Sequence, residues 1–247
     1  MENNDFDFKK YEKISNKSRY ERRLAELRNQ SKETQNIEEV VSYSINNLKD
    51  GTKSFIVYGD PQCGKTEMMI ALTAKLLDEG NKVIVILITD NISLLKQNLD
   101  RFRSSGIDPS PKNFSEILDD NVQIGDSNWV IFSKKNASNL KKLNEKLKDV
   151  NNKVIIDDEA DYATPNSKIN MQEKSKINQL TGDLIGDGIY IGVTATPARL
   201  DLNNTHNNKT QKWARFKPHS NYTGQEIFFP IESENIKYKL VFLQMII

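Results

Sequence analysis

The stretch GDPQCGKT, from Gly59 to Thr66, has the pattern Gly-x-x-x-x-Gly-Lys-Thr of a phosphate-binding loop. The β-branched and aromatic run at residues 54–58 predicts a buried strand before it, and apolar residues at helical spacing in 67–77 predict a helix after it. In such a loop backbone N–H groups cradle phosphate oxygens, Lys65 reaches the β and γ phosphates, and the Thr66 hydroxyl binds Mg²⁺. The alternative is a glycine-rich turn with an unrelated lysine. The predicted residues for ATP or GTP are Gly59, Asp60, Pro61, Gln62, Cys63, Gly64, Lys65 and Thr66.

The letters DEAD, from Asp158 to Asp161, follow the apolar run 154–156, which predicts another buried strand. A carboxylate at the end of such a strand can hold Mg²⁺ through its waters. A neighbouring carboxylate can orient and deprotonate the attacking water. The acidic pair Asp158 and Glu159 therefore supplies the magnesium-holding and water-activating carboxylates that the phosphate loop lacks.

The third motif is Thr194-Ala195-Thr196-Pro197, which follows the apolar run 189–191. Its two hydroxyls are expected at the carboxyl end of a strand, the edge at which open α/β sheets bind their ligands. Taken alone, the motif is equally typical of an ordinary strand exit that Pro197 terminates.

In this order, and each at a strand end, the three motifs resemble motifs I, II and III of superfamily 2 helicases and translocases. The resemblance covers about residues 35–197. It implies an α/β fold, a RecA-like P-loop NTPase lobe with a mostly parallel sheet and helices on both faces. It also implies that Lys65 and Thr66 bind phosphate and magnesium, that Asp158 holds magnesium and that Glu159 activates water.

The same resemblance implies that Thr194 and Thr196 couple nucleotide state to nucleic-acid movement, and that Asp161 contacts their segment. Gln35 lies about where the family keeps an adenine-reading glutamine; a polar residue beside a helix start is the alternative interpretation. The family completes its site with arginines from a second lobe. No such motif occurs in this sequence, so we expect the second lobe to be absent from this chain.

Two departures separate this sequence from DEAD-box RNA helicases. The residues Ile88-Thr89-Asp90-Asn91 replace the usual Pro-Thr-Arg, and no Thr-Pro-Gly precedes DEAD. Residues 129–140, 157–166 and 222–229 look like the ATPases with a Z-one domain that are found beside bacterial restriction and anti-phage genes. This resemblance implies a role in restriction or defence, with a nuclease or methylase as a possible partner.

The charge balance is nearly neutral, with 35 Lys and Arg against 34 Asp and Glu among 247 residues. The protein therefore has no strong overall positive charge that would attract a polyanion, and any contact with nucleic acid must come from local patches. We expect this nucleic acid to be DNA rather than RNA. Hydroxyl, amide and lysine groups at the exits of two predicted strands are candidates, with solvated loops and helix caps as the alternative. These residues are Thr89, Asn91, Ser133, Lys134, Lys135 and Asn136.

The sequence has one cysteine, Cys63, so an intramolecular disulfide and a cysteine-based zinc site are excluded. A helix N-terminus and Lys65 nearby would lower its pKa; the simpler interpretation is a small residue in a tight loop. His206 and His219 are expected on the surface. The charged N-terminus is no secretory signal, and no apolar run approaches the ~18 residues of a membrane span, so we expect a cytoplasmic protein.

Strands alternate with helices along the chain, which predicts βαβ units in a parallel sheet. Further strands are predicted at 82–88, 129–132 and 153–157, with a short one at 122–124, and helices at 37–48, 92–102 and 137–147. The predicted domains are a charged helical extension at 1–34, the lobe at 35–200, and a polar excursion with a C-terminal segment at 201–247, the start of a following domain. Within the extension, 11–30 is expected to be an exposed helix with i,i+4 ion pairs.

Together these features predict the ATP-binding first lobe of an ATP-dependent DNA helicase or translocase in restriction or anti-phage defence, with ATP and Mg as cofactors. Its hydrolysis would need the second lobe, so the isolated chain is expected to be weak or inactive. The alternatives are an ATP-binding regulatory module that moves no strand and a packaging-type motor ATPase.

Overall fold

The computed structural model describes residues 17–119, 121–124, 127–161, 176–197, 213–220 and 222. The strands in these ranges are β1 (Ser54–Gly59), β2 (Val83–Ile88), β3 (Lys112–Asn113), β4 (Trp129–Lys134), β5 (Val154–Asp158), β6 (Ile189–Thr194) and β7 (Ala214–Phe216). The helices are α1 (Arg19–Asn29), α2 (Gln35–Lys49), α3 (Lys65–Asp78), α4 (Ile92–Ser104), α5 (Ala137–Lys146) and α6 (Lys176–Ile185), with a 3₁₀ turn at Phe114–Glu116.

The strands form one sheet in the order β3-β4-β2-β5-β6-β1-β7, and every neighbouring pair is parallel. All six residues of β2 are buried, because helices cover both faces. Ile84, Ile86 and Ile88 face the core under α1 to α4, whereas Val85 and Leu87 face the core under α5 and α6. The predicted α/β class, with helices on both faces of a parallel sheet, is confirmed.

The parallel arrangement puts the carboxyl ends of all strands at one edge of the sheet. The phosphate loop leaves β1, DEAD leaves β5 and Thr-Ala-Thr-Pro leaves β6, and β6 lies between the other two. The three motifs therefore lie side by side, although the first and the second are far apart in sequence.

The prediction of an exposed N-terminal helix is wrong for the described part. α1 packs along α3, with Leu24 and Leu27 buried and Arg23 only 7% exposed. Residues 11–16 of that predicted helix lie outside the described residues. The charged side chains of α1 misled the prediction because two of them, Arg19 and Arg23, pair with acids of α3, which a local pattern does not reveal.

Two further differences concern strands. No strand forms at 122–124; the short edge strand is β3, which pairs with β4. The predicted polar excursion contains β7, which pairs with β1 and completes the sheet on that side. Residues 201–212, with His206, lie outside the described residues. No helix in the described parts of the chain has the length and apolar character that crossing a membrane requires.

Candidate active site

The phosphate loop connects β1 to α3 through a tight path. A Cβ on Gly59 would lie 2.9 Å from the Phe216 carbonyl oxygen and 3.0 Å from Cys63 Sγ, so only glycine fits there. Gly64, directly before α3, has φ +96°, a conformation that glycine adopts without a steric penalty. The loop thus delivers Lys65 and Thr66 in the first turn of α3, where free N–H groups and the helix dipole favour anions.

Both functional side chains of the loop are half-buried and oriented by contacts. Lys65 Nζ donates to the Asp60 carbonyl oxygen at 3.1 Å, across the loop. Thr66 Oγ1 is 3.3 Å from Oδ1 of Asn98 on α4, and the Asn98 amide donates in turn to the Leu94 carbonyl oxygen at 3.0 Å. Asn98 is a site residue that sequence reasoning missed, since nothing in the pattern of α4 marks it.

A cleft of about 550 Å³ joins the loop to the acidic motif. Lys65, Thr66, Asp158 and Glu159 all line it, as the sequence predicted for residues that act on one phosphate chain. The other lining residues are Gln62, Gly64, Glu67, Ile88, Thr89, Leu94, Gln97, Asn98 and Arg101.

Burial and, second, the charge of Glu159 raise the pKa of Asp158 to about 6. A divalent cation would relieve this repulsion, and the Thr66 hydroxyl with the Asp158 carboxylate provides the oxygen ligands that Mg²⁺ prefers. Within the described residues no group of three or more His, Cys, Asp or Glu side chains could hold a metal. The donor set fits a magnesium ion that is shared with nucleotide phosphates, which commonly uses only one or two protein carboxylates.

The DEAD segment is held from two sides, by its neighbour β6 and by Lys135 at the end of β4. On the β6 side, Ala160 N donates to the Val193 carbonyl oxygen at 2.9 Å, and a Cβ on Gly192 would lie 3.0 Å from Ala160 Cβ. On the other side, Lys135 Nζ donates to the carbonyl oxygens of Asp158 and Glu159 at 2.8 and 2.7 Å.

Asp161 connects DEAD to the third motif. Thr194 Oγ1 donates to Asp161 Oδ1 at 2.6 Å, and Thr196 Oγ1 donates to Asp161 Oδ2 at 2.5 Å. Thr194 is fully buried and Asp161 is 8% exposed, so the bond between them is shielded from water, whereas Thr196 itself is exposed. Asp161 thus contacts this segment, and the coupling role of Asp161, Thr194 and Thr196 stays a prediction.

The predicted nucleic-acid contacts do not all reach the surface. Ser133 and Lys135 are 0% and 1% exposed, so the prediction is wrong for both: β4 extends through Lys134, and Lys135 turns inward. Asn91 and Asn136 cap α4 and α5, as the alternative interpretation has it. Lys134 forms an ion pair with Asp90 at 2.8 Å. Thr89 lines the cleft of the phosphate loop.

A second cleft, of about 450 Å³, lies on the other side of the phosphate loop. Asn36 and Ile37 of α2 line it, whereas Gln35 is exposed and donates to Glu39 Oε1 at 3.1 Å. The remaining lining residues are Leu27, Ser31, Lys32, Glu33, Cys63, Gly64, Glu67, Phe216, Lys217, His219 and Ser220. Burial raises the pKa of the Cys63 thiol, contrary to the lowering expected from Lys65 and the helix N-terminus.

The segment after β7 forms one wall of this second cleft. Asn36 Nδ2 donates to the Pro218 carbonyl oxygen at 2.7 Å, and the Tyr222 hydroxyl donates to the Pro61 carbonyl oxygen at 2.5 Å. His219 is exposed, as predicted. Sequence reasoning missed the wall because only the fold brings residues 216–220 and Tyr222 to the phosphate loop.

Residues 8–199 match the family described as "Type III restriction enzyme, res subunit" (ResIII). Among solved structures, the SWI2/SNF2 ATPase core of Sulfolobus solfataricus in complex with dsDNA is 19% identical with a TM-score of 0.45; the match covers 66% of this chain and 32% of that chain. This chain thus matches about a third of the length of that core. The genome packaging NTPase of Sulfolobus turreted icosahedral virus 2, in complex with ATP-gammaS, is 15% identical with a TM-score of 0.35, and the match covers 58% of this chain and 64% of that chain. No curated protein matches.

Proposed function

This chain belongs to the family of the type III restriction enzyme res subunit, and we propose that it is the ATP-binding first lobe of a DNA translocase that acts in restriction or anti-phage defence. The family makes it an ATP-dependent NTPase of the helicase and translocase type, with a RecA-like first lobe. One observation carries the finer proposal: the cleft beside the phosphate loop is lined by Lys65, Thr66, Asp158 and Glu159 together.

The two clefts suggest how the nucleotide lies. The phosphate chain would cross the first turn of α3, with the γ phosphate in the cleft that Asp158 and Glu159 line. The base would then lie in the second cleft, between α2 and the wall at 216–220. Gln35 remains our candidate for contacting adenine from the rim of that cleft, next to Asn36.

Each side chain then has one task in phosphoryl transfer. Thr66 and Asp158 would hold a magnesium ion, which supplies positive charge to the phosphates when it is bound. Lys65 binds the β and γ phosphate oxygens. Glu159, next in the chain to Asp158, would orient the attacking water and accept its proton.

The bonds from Asp161 to Thr194 and Thr196 support coupling to DNA. Asp161 is two residues from Glu159, so a shift of the acidic segment on hydrolysis would move the hydroxyls it holds. Those hydroxyls lie at the same sheet edge as Thr89, Asn91, Lys134 and Asn136, which are our remaining candidates for phosphate contacts. The ion pair between Lys134 and Asp90 is partly exposed, so DNA phosphates can compete for the lysine.

DNA is the proposed polymer because the family description names a restriction enzyme, whose substrate is DNA. A second lobe that supplies arginines and a nuclease or methylase partner belong to the same proposal, as does a reducing cytoplasm, which suits the unpaired Cys63.

The test is the linkage between nucleotide and DNA. Anisotropy of a short labelled duplex should report a DNA affinity that changes roughly fivefold or more when a non-hydrolysable ATP analogue with Mg²⁺ is added to the full chain. Thr196→Val removes one bond to Asp161 and should reduce this change, while the affinity for the nucleotide stays as in the wild type.

Nucleotide binding with no effect on DNA affinity would contradict the motor proposal and favour a regulatory module. Assembly of the chain into rings when nucleotide is added would favour a packaging-type motor instead.

A further inference from the structure

Lys135 is a buried lysine at the carboxyl end of β4, with 1% of its surface exposed. Its ammonium group is 2.8 Å from Asp157 Oδ1 and donates to the carbonyl oxygens of Asp158 and Glu159 at 2.8 and 2.7 Å. The contact with Asp157 is an ion pair, whereas the two carbonyl oxygens accept hydrogen bonds. Two of the three oxygens belong to the backbone of the residues that carry the proposed chemistry.

The contacts of Lys135 require a long side chain that ends in a small charged group. In the sheet β2 lies between β4 and β5, so Lys135 reaches across β2 to the end of β5. Two strand spacings amount to about 10 Å, which an extended lysine and one hydrogen bond can span. The backbone of Lys135 is itself held at β2, because its N–H donates to the Ile88 carbonyl oxygen at 2.7 Å.

The backbone to which Lys135 donates these hydrogen bonds is strained. Glu159 has φ +53°, in the left-handed region that residues with a Cβ seldom adopt. Such a conformation persists only where the surroundings impose it, and it is common at functional sites. The carbonyl of Asp158 belongs to the peptide before Glu159, and the carbonyl of Glu159 belongs to the peptide after it. Bonds to both oxygens therefore fix both peptide planes that set the direction of the Glu159 side chain.

Charge balance alone does not explain the lysine. Asp157 is fully buried, and its other oxygen, Oδ2, accepts a hydrogen bond from the Tyr190 hydroxyl at 2.9 Å. A buried ion pair often stabilises a fold no more than well-packed apolar residues in its place would. Stability of the fold therefore does not explain why this pair is present.

We propose that Lys135 is a positioning residue: it holds the peptide planes on either side of Glu159 so that Asp158 and Glu159 present their carboxylates to the phosphate side of the cleft. This inference rests on the proposed function, since it concerns how the same site is held in shape. Lys135 itself touches neither nucleotide nor DNA.

The decisive variant is the double replacement Lys135→Met/Asp157→Asn. It removes both members of the buried pair, so no uncompensated charge remains, and the oxygen of the introduced amide can still accept from Tyr190. The matched control is Lys153→Met, at the opposite end of β5. Lys153 is also buried and also donates to backbone carbonyl oxygens, those of Val150 and Leu147 at 2.7 and 3.5 Å, but it lies far from DEAD.

Two measurements on the full chain test the proposal. Hydrogen exchange without nucleotide should be about tenfold or more faster in the double variant at residues 157–161, and unchanged there in Lys153→Met. The Mg²⁺ concentration that half-saturates binding of a fluorescent, non-hydrolysable ATP analogue should rise roughly tenfold or more in the double variant only.

If the double variant behaves like the wild type in both measurements while the single Lys135→Met variant does not, the lysine merely balances Asp157 and the proposal is overturned. Wild-type exchange rates in the double variant at 157–161 would overturn it as well. A wild-type chain that binds no nucleotide would refute the proposed function, whereas the exchange measurement would still decide the role of Lys135.

Discussion

Asp158 lies at the end of β5, where burial and the charge of Glu159 raise its pKa to about 6. In the unfolded chain the same carboxyl group has its ordinary value of 3.8. The folded state therefore favours the protonated form, and the stability this provides is lost as the pH rises from about 4 through 6. At neutral pH the charged carboxylate that a magnesium site needs is a source of instability.

Asp158→Asn should therefore stabilise the chain at high pH and not at low pH. Asparagine keeps the shape without the charge, so its free energy of unfolding should exceed that of the wild type by up to about 3 kcal/mol at pH 8. The difference should become small at about pH 3 and vanish below it, where the wild-type group is protonated in both states. Urea denaturation without Mg²⁺ at the two pH values measures it, and a gain of equal size at both would show that charge is not the cause.

Individual residues also show how much of the site could be predicted from the sequence. Lys65, Thr66, Asp158 and Glu159 stand in motifs whose spacing already implies their geometry, and they line one cleft. The prediction that Lys135 contacts nucleic acid failed because strand β4 runs two residues further than predicted. The side chain of Lys135 then contacts β5, a partner that the local sequence pattern does not reveal. For the same reason Asn98 beside Thr66 gave no signal in the sequence.

Among the elements, α1 shows how a charged helix can be part of a core. Its N-cap Ser18 and Glu21 form a capping box, and Arg19 and Arg23 pair with Asp78 and Glu67 near the two ends of α3. Leu24 and Leu27 fill the space between the helices. Because Glu67 directly follows Thr66, α1 supports the helix that begins at the phosphate loop.

Leu27→Ala should destabilise the fold by about 2 to 5 kcal/mol, since Leu27 is 1% exposed and truncation leaves a cavity. Arg22→Ala, on the exposed side of the same helix, should stay within about 0.5 kcal/mol of the wild type. Chemical denaturation of both variants gives the comparison. Equal, small effects would mean that α1 does not pack on α3 in solution.

Strand β7 could not be predicted from its own residues. It has three residues, too few for a periodic pattern, and polar sequence surrounds it. Its position follows from pairing with β1, where Phe216 lies against Gly59. Long strands such as β2 and β5 were predictable because burial on both faces demands a continuous apolar run.

At the scale of the molecule, one sheet edge gathers residues that are far apart in sequence. The family match at 8–199 includes the described parts of α1 and all three motifs, and β7 adds a strand and a cleft wall beyond it. The predicted boundaries at 34/35 and 200/201 stay predictions, although α1 and β7 both pack onto the lobe between them. We propose that this edge binds ATP with magnesium.

Calorimetric titration of the full chain with ATP and Mg²⁺ tests this binding, with Lys65→Ala and Glu159→Gln measured beside the wild type. Bonds to charged partners contribute about 1.5 to 3 kcal/mol, so Lys65→Ala should bind at least roughly tenfold more weakly. Glu159→Gln should keep the wild-type affinity, because its proposed partner is the attacking water. Equal affinities of the wild type and Lys65→Ala would contradict ATP binding at the phosphate loop.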